Sequence, residues 1–579
     1  MEKADAAAAG GRPGRMPVGG ASQVAGPRDA PLLDLTVPAL LAGCVAARPG
    51  AEALVAPAEG VRWSWSDLAA RVDALAGGLL QIGIDAGDRV GIWAPNRTEW
   101  VLTQFATARI GAILVNVNPA YRVHELDFAL RKTGCKALIL AERFKTSDYV
   151  AMIGAVAPRL AGSEPGALRD GNLPDLRAVV VCADAPPPGC LAFPDVAARG
   201  AGVPRARLDA VTDGLDADDP INIQFTSGTT GQPKGATLTH RNIVNNANFV
   251  TAAMALTDAD RLCIPVPLYH CFGMVMGTLG CVTKGAAMVL PGEGFDPLAT
   301  LRAVADERCT ALYGVPTMFV AMLEHPAFAG FDLSRLRTGI MAGAPCPIEV
   351  MKKVQRDMNM AEVTIAYGMT ETSPVSFQSS VDTPLDKRVS SVGRVQPHLE
   401  VRIVDGHGAV VPVGAEGELQ TRGYSVMRGY WDDPERTAEA IDAEGWMHTG
   451  DLARLDEEGY CNITGRVKDV IIRGGENISP REIEEFLYTH PAISQVQVFG
   501  IPDDRMGEIV AAWIVPRPGT APTAAEVLEF CRGRIAHYKV PAVVRFRDAL
   551  PMTVTGKPQK FLMREAMMQE LGLTERKTA

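Results

Sequence analysis

The sequence predicts an α/β protein. A large N-terminal unit, built of layered helices and largely parallel sheet, precedes a small, mobile α+β C-terminal unit. Two observations carry this. From about residue 61, helical periodicity alternates with short apolar runs, and strand–helix–strand alternation implies right-handed crossovers within a largely parallel sheet. Over the last ~110 residues the order becomes helix, two strands, helix, strand and helix, a unit small enough to move as one body. With 579 residues, 47% of them hydrophobic and 21% charged, there is ample chain for several layers of core.

Residues 1–30 are Ala/Gly/Pro-rich with no apolar run and read as a disordered tail, not a secretory signal. Arg12, Arg15 and Arg28 would suit a transit peptide to the mitochondrial matrix, but Glu2 and Asp5 argue against one, and a cytoplasmic location is expected. Leu68, Val72, Leu75, Leu79 and Ile82 recur at steps of three and four, predicting a core-facing helix with Ser66 as its N-cap. Arg89–Trp93 reads as a strand, and Asn96-Arg-Thr-Glu99 as a capping box opening a helix to about Ile110. Strands follow at Ile113–Val117 and Ala137–Ala141, with a helix at His124–Thr133 between them. Residues 159–220 read as loosely packed connections. Leu262 to Thr283 carries no Asp, Glu, Lys or Arg and is long enough to span a bilayer, yet Pro265, Pro267, His270 and three glycines break it. A buried loop and helix fits better, because lipid would leave the freed backbone groups without partners.

In the C-terminal unit, Ser479-Pro480-Arg481-Glu482 reads as a capping box for a helix to about His490. Strands are expected near Ser494–Gly500 and Val510–Val515. A second capping box, Thr523-Ala-Ala-Glu526, heads a helix to about His537, and a strand near Val543–Arg547 precedes a final loop and helix.

A net charge of −10 disfavours a nucleic-acid binder. Eleven cysteines without a C-x-x-C suggest neither a disulfide framework nor a zinc site, and fit a reducing compartment. Neither H-E-x-x-H nor G-x-S-x-G occurs.

The sharpest local feature is Phe225-Thr-Ser-Gly-Thr-Thr-Gly-Gln-Pro-Lys-Gly235, directly after the apolar run Ile221–Gln224. Glycines let the backbone turn N–H groups around an anion, hydroxyls donate to phosphate oxygens, and Lys234 adds a point charge. It is not a Walker A loop, since Pro233 precedes the lysine and Gly235 follows it.

Further motifs follow in order: Pro267-Leu-Tyr-His-Cys-Phe-Gly273, Ala342-Gly-Ala-Pro345, Tyr367-Gly-Met-Thr-Glu371, Met427-Arg-Gly-Tyr-Trp431 and Gly445-Trp-Met-His-Thr-Gly-Asp451. Gly465-Arg-Val-Lys-Asp469, Ile472-Arg-Gly-Gly-Glu-Asn477 and Pro551-Met-Thr-Val-Thr-Gly-Lys557 complete the set. Together they resemble the adenylate-forming superfamily over about residues 35–570, and most of all its medium-chain fatty acyl-CoA synthetases.

The resemblance implies an adenylate-forming N-terminal domain at 31–465, a hinge at 466–469 and a catalytic lid at 470–579. It implies a reaction in which a fatty acid or related carboxylic acid becomes acyl-AMP with release of pyrophosphate, then passes to CoA. ATP and Mg²⁺ are implied with it. Thr226, Ser227, Gly228, Thr229, Thr230, Gly231 and Lys234 match the phosphate loop. Glu371, with Thr226, matches the Mg²⁺ site, and Thr370 an α-phosphate contact. Gly343, Ala344, Pro345, Tyr367 and Gly368 match the adenine pocket, and Asp451 and Arg466 the ribose contacts. Lys557 matches the adenylation lysine, His270 a gate of the acyl pocket or CoA channel, and Gly474 and Gly475 the pantetheine passage. Cys271, Phe272, Met274, Tyr313, Val315, Met341 and Met369 match an apolar acyl pocket.

No acid lies within 262–283, so an ammonium-bearing amino acid would find no partner there. Lys468 stands at the hinge where Asp is common, and a hinge only has to absorb a change in φ and ψ. An enzyme loading a carrier protein instead of CoA is the alternative. Weak membrane association and a homodimer remain open on sequence.

Overall fold

The computed structural model describes residues 16–226, 233–344, 346–473, 476–503, 505–532, 534–553 and 556–574. Among them four large sheets organise the chain. The first has eight strands in the order Leu191–Ala192, Ala178–Val181, Ala137–Leu140, Arg89–Trp93, Ile113–Asn116, Pro220–Thr226, Lys234–Thr239 and Gly429–Tyr430. Its first six strands are parallel, as the alternation predicts, and the last two run antiparallel to their neighbours. The second has nine strands, with Arg261–Cys263, Ala311–Gly314, Thr338–Ala342 and Glu362–Gly368 parallel at its centre. Central strands of both sheets are buried on both faces, which is why they read as continuous apolar runs. Helices such as Trp65–Gln81 and Thr98–Arg109 cover them, and one continuous core encloses Trp65, Trp93 and Trp100.

Local corrections have physical causes. The N-cap of Trp65–Gln81 is Ser64, not Ser66: its hydroxyl and the Asp67 carboxylate close a capping box two residues earlier. The helix Thr98–Arg109 carries no local cap; Glu59, remote in sequence, accepts from the Thr98 N–H and hydroxyl. Residues 159–220 are more than connections, for Ala178–Val181 is a fully buried strand and Phe193–Gly200 packs on the Trp65–Gln81 helix, with Gly200 against Gly77 and Gly78. Small residues there permit close backbone approach; they are not a sign of looseness. Part of the expected tail is ordered: Gln23–Ala25 pairs with Leu399–Val404 at the edge of a five-stranded sheet.

The C-terminal sheet comprises Glu476–Ile478, Ile471–Arg473, Gly507–Pro516 and Ile493–Asp503, with Val543–Phe546 alongside Gly507–Pro516. The capping box at Thr523 is present, but its helix stops at Cys531. Ser479 precedes the helix Pro480–Tyr488, yet its hydroxyl bonds the Thr464 carbonyl, not the helix N–H groups. The apolar stretch 262–283 is a buried strand end, loop and helix containing a π-helical run at Phe272–Leu279, and no described helix is long and apolar enough to cross a membrane.

Candidate active site

The site lies where parallel strands end, the usual place for ligands on such sheets. Thr226 ends one strand and Lys234 begins the next, and the two pair across the antiparallel register. The ends of the phosphate loop therefore stand side by side. Ser227, Gly228, Thr229, Thr230 and Gly231 lie outside the described residues, as do Pro345, Gly474 and Gly475.

Glu371 sits in the 3₁₀ turn Thr370–Thr372, just past the strand Glu362–Gly368, and is buried. Its Oε1 accepts from the Thr226 hydroxyl at 3.1 Å and from the Tyr430 hydroxyl at 3.0 Å. No cation among the described residues pairs with it. A buried carboxylate held by neutral donors, with one oxygen left over, is the donor set a hard cation takes.

Asp451, on the strand Met447–Leu455, faces Arg466 on Cys461–Arg466 across the register. Its Oδ2 accepts from the Tyr367 hydroxyl at 2.6 Å and its Oδ1 from Arg466 Nε at 3.0 Å. Burial, then the Asp451 charge, pushes the Tyr367 phenol up, so it stays a donor. Arg466 is largely exposed, so its ion pair with Asp451 is screened and worth little to stability.

Lys557 reaches this constellation from the C-terminal unit. Its loop docks with Gly556, in the left-handed region, against Val315 and Thr317. A Cβ on Gly343 would lie 3.7 Å from Lys557 Cε, so the lysine stem passes directly over Gly343. Burial first, then Arg466, lowers the Lys557 pKa, with Asp451, Glu371 and Cys271 opposing. Among the described residues no carboxylate comes within ion-pair distance of its ammonium. His270 is close enough to feel Lys557; burial and that charge push it down to about 3. Its Nδ1 accepts from the Phe272 N–H at 3.2 Å, which places the proton of the neutral ring on Nε2. Thr370 is buried beside Glu371, while Gly368 is exposed and Ala344 half-buried at the mouth.

Thr226, Lys234, Glu371, Thr370, Tyr367, Asp451, Arg466, Gly343, His270 and Lys557 thus converge from separate motifs. The apolar residues matched to an acyl pocket are less uniform. Cys271, Phe272, Met274, Tyr313, Val315 and Met341 are buried in core, and the Tyr313 hydroxyl bonds the Met276 carbonyl at 3.0 Å. None of them lines the cavity of about 290 Å³ formed by Pro267, Tyr269, Phe295, Thr317, Met318 and Gly556 together with the charged Lys145 and Glu293. Two contributors escape sequence reasoning. Gln224 accepts from the Cys271 thiol at 3.1 Å, and Tyr430 bonds Glu371 from 59 residues away. For Tyr430 the signal was its place in Met427–Trp431; nothing in spacing could pair it with Glu371.

Comparison with known proteins extends this geometry. The model of the AMP-binding enzyme family matches residues 41–431, and that of the AMP-binding enzyme C-terminal domain matches 482–557. The chain is 46% identical over 555 residues to the mitochondrial medium-chain acyl-CoA ligase ACSF2 of Danio rerio, covering 95% of this chain and 91% of that one. Among solved structures it resembles ATP-bound MatB from Rhodopseudomonas palustris, with a TM-score of 0.78 and 29% identity over 93% of this chain and 100% of that one. It also resembles the anthranilate CoA ligase AuaEII in complex with anthranoyl-AMP, with a TM-score of 0.81 and 25% identity, covering 94% and 99% of the two chains.

Proposed function

The chain belongs to the AMP-binding enzyme family, and from that premise we propose that it is an AMP-forming acyl-CoA ligase acting on medium-chain fatty acids. The observation that carries this is Lys557: an ammonium without an acidic partner among the described residues, brought by the C-terminal unit over Gly343 and within electrostatic reach of Glu371 and the Asp451–Arg466 pair.

In the first step a carboxylate oxygen bonds to the α-phosphorus of ATP and the bond to the β-phosphate breaks, releasing pyrophosphate. Two anions must approach, and Lys557 neutralises charge where they meet. Asp451 and Tyr367 hold the nucleoside end. Thr226 and Glu371 would hold Mg²⁺, which supplies charge neutralisation at the phosphates. In the second step the CoA sulfur bonds to the acyl carbon, AMP leaves, and the thiol proton is released. Lys557 serves the first step; rotation about the 466–469 hinge, where Val467–Asp469 forms a short 3₁₀ turn, would withdraw it for the second.

The acid-free 262–283 segment supports a chain without an ammonium group. We place the protein in the cytoplasm, with the mitochondrial matrix as the alternative; the Danio rerio relative is named as mitochondrial.

The test is a panel of straight-chain, branched, aryl and amino acids, read by pyrophosphate release with CoA or with a holo-carrier protein. Octanoate with CoA is expected to lead. Preference for an amino acid over octanoate, or for the carrier over CoA, would overturn this reading.

A further inference from the structure

Resting on the assignment of Glu371 as the acid that holds the divalent cation, we propose that Tyr430 is the positioning residue that decides which oxygen of Glu371 the cation meets. Tyr430 is remote in sequence and ends the antiparallel edge of the eight-stranded sheet, pairing with Ala236. Its side chain is buried, and its hydroxyl donates to Glu371 Oε1 at 3.0 Å. Thr226 donates to the same oxygen at 3.1 Å. Both neutral donors therefore saturate Oε1, and Oε2 has no hydrogen-bond partner among the described residues. A carboxylate pinned in this way presents one oxygen in a fixed direction, which suits monodentate ligation of a cation that demands regular geometry.

Tyr430 has a second task on its other side. Lys234 Nζ donates to the same hydroxyl at 3.5 Å and lies 4.6 Å from the centre of the Tyr430 ring. No ion pair joins Lys234 to Glu371. Tyr430 thus stands between a flexible ammonium and a buried carboxylate that would otherwise attract each other at low local dielectric. Collapse of Lys234 onto Glu371 would remove a phosphate ligand and a cation ligand together. The phenol ring holds the ammonium by its face and edge, while the hydroxyl proton goes to the acid. One side chain keeps the two charges available for different parts of one metal–triphosphate ligand.

The experiment measures the affinity of the full-length chain for α,β-methylene-ATP by titration calorimetry, with excess Mg²⁺ and again with EDTA. The ratio of the two dissociation constants reports cation coupling alone. The wild type is expected to bind much more tightly with Mg²⁺. Tyr430→Phe keeps the ring and is expected to lower that ratio about tenfold, with affinity in EDTA nearly unchanged. Tyr430→para-aminophenylalanine, whose ring N–H donates from the position of the hydroxyl, is expected to recover part of the ratio, and it serves if the Phe variant does not fold. A ratio in Tyr430→Phe equal to the wild type would overturn the proposal. So would equal weakening with and without Mg²⁺, which marks a merely structural role. A wild-type ratio near one would instead remove the Glu371 assignment itself, and the proposal with it.

Discussion

The Tyr367 hydroxyl lies 2.6 Å from Asp451 Oδ2, joining the end of the strand Glu362–Gly368 in the nine-stranded sheet to a strand of the five-stranded sheet. Arg466 takes the other oxygen at 3.0 Å. The carboxylate is thereby oriented before any nucleotide arrives, and the last strand before the hinge is tied to the residue expected under adenine. Tyr367→Phe removes one donor to a charged acceptor, a bond worth roughly 1.5–3 kcal/mol. ATP affinity should fall at least tenfold with the Michaelis constant for the acid little changed. Equal loss for both substrates would show that the ring matters only for packing.

Lys557 separates the two half-reactions. Lys557→Ala should lower acyl-AMP formation by about 10²–10³, the scale of losing one preorganised charge at a developing anion. Supplied acyl-AMP and CoA should still give thioester. Measured on purified, folded protein, parallel loss of both steps would contradict the alternation proposed for the C-terminal unit.

Gly368 tests the backbone behind Glu371. A Cβ there would overlap the Pro374 carbonyl, which already accepts from the Met369 N–H at 2.9 Å. The turn carrying Glu371 must shift to admit it. Gly368→Ala should cost about 1–3 kcal/mol of stability in denaturant titration, with adenylation reduced further than stability alone explains. A wild-type midpoint with full activity would show that the turn yields freely.

Two histidines, His240 buried and His270 half-buried, set a pH dependence. His240 is fully buried, its Nδ1 accepting from the Val37 N–H at 3.1 Å, and burial pushes it down to about 4 from 6.5. His270 is pushed to about 3. As pH falls through 6.5 the unfolded chain takes up these protons and the folded chain does not. Stability therefore falls from about pH 6.5 toward the folded values, by about 1.4 kcal/mol per pH unit for each histidine. Thermal midpoints between pH 7 and 5.5, above most carboxylate titration, should drop less for His240→Gln than for the wild type. Identical slopes would mean that His240 is protonated in the fold.

Local patterning determined much of this protein. Arg89–Trp93, His124–Thr133 and the Thr523 capping box were legible because they rest on residues within one or two turns of each other. The order of the motifs around Lys234, Tyr367, Glu371, Asp451 and Lys557 was legible for the same reason, since each motif is a short contiguous string. Tertiary structure alone decided what depends on contacts across the chain. Glu59 caps Thr98 from 39 residues away, so no local cap was needed, and Gly200 packs on Gly77, so a glycine-rich segment became a tight interface. Of the residues matched to an acyl pocket, all but the half-buried Met369 are packed core, because pocket depth depends on how neighbouring side chains fill space. Tyr430 reaches Glu371 because an antiparallel edge strand brings it there. Hydrogen bonds between distant segments leave no period in a sequence. Only the packing of sheet edges sets them.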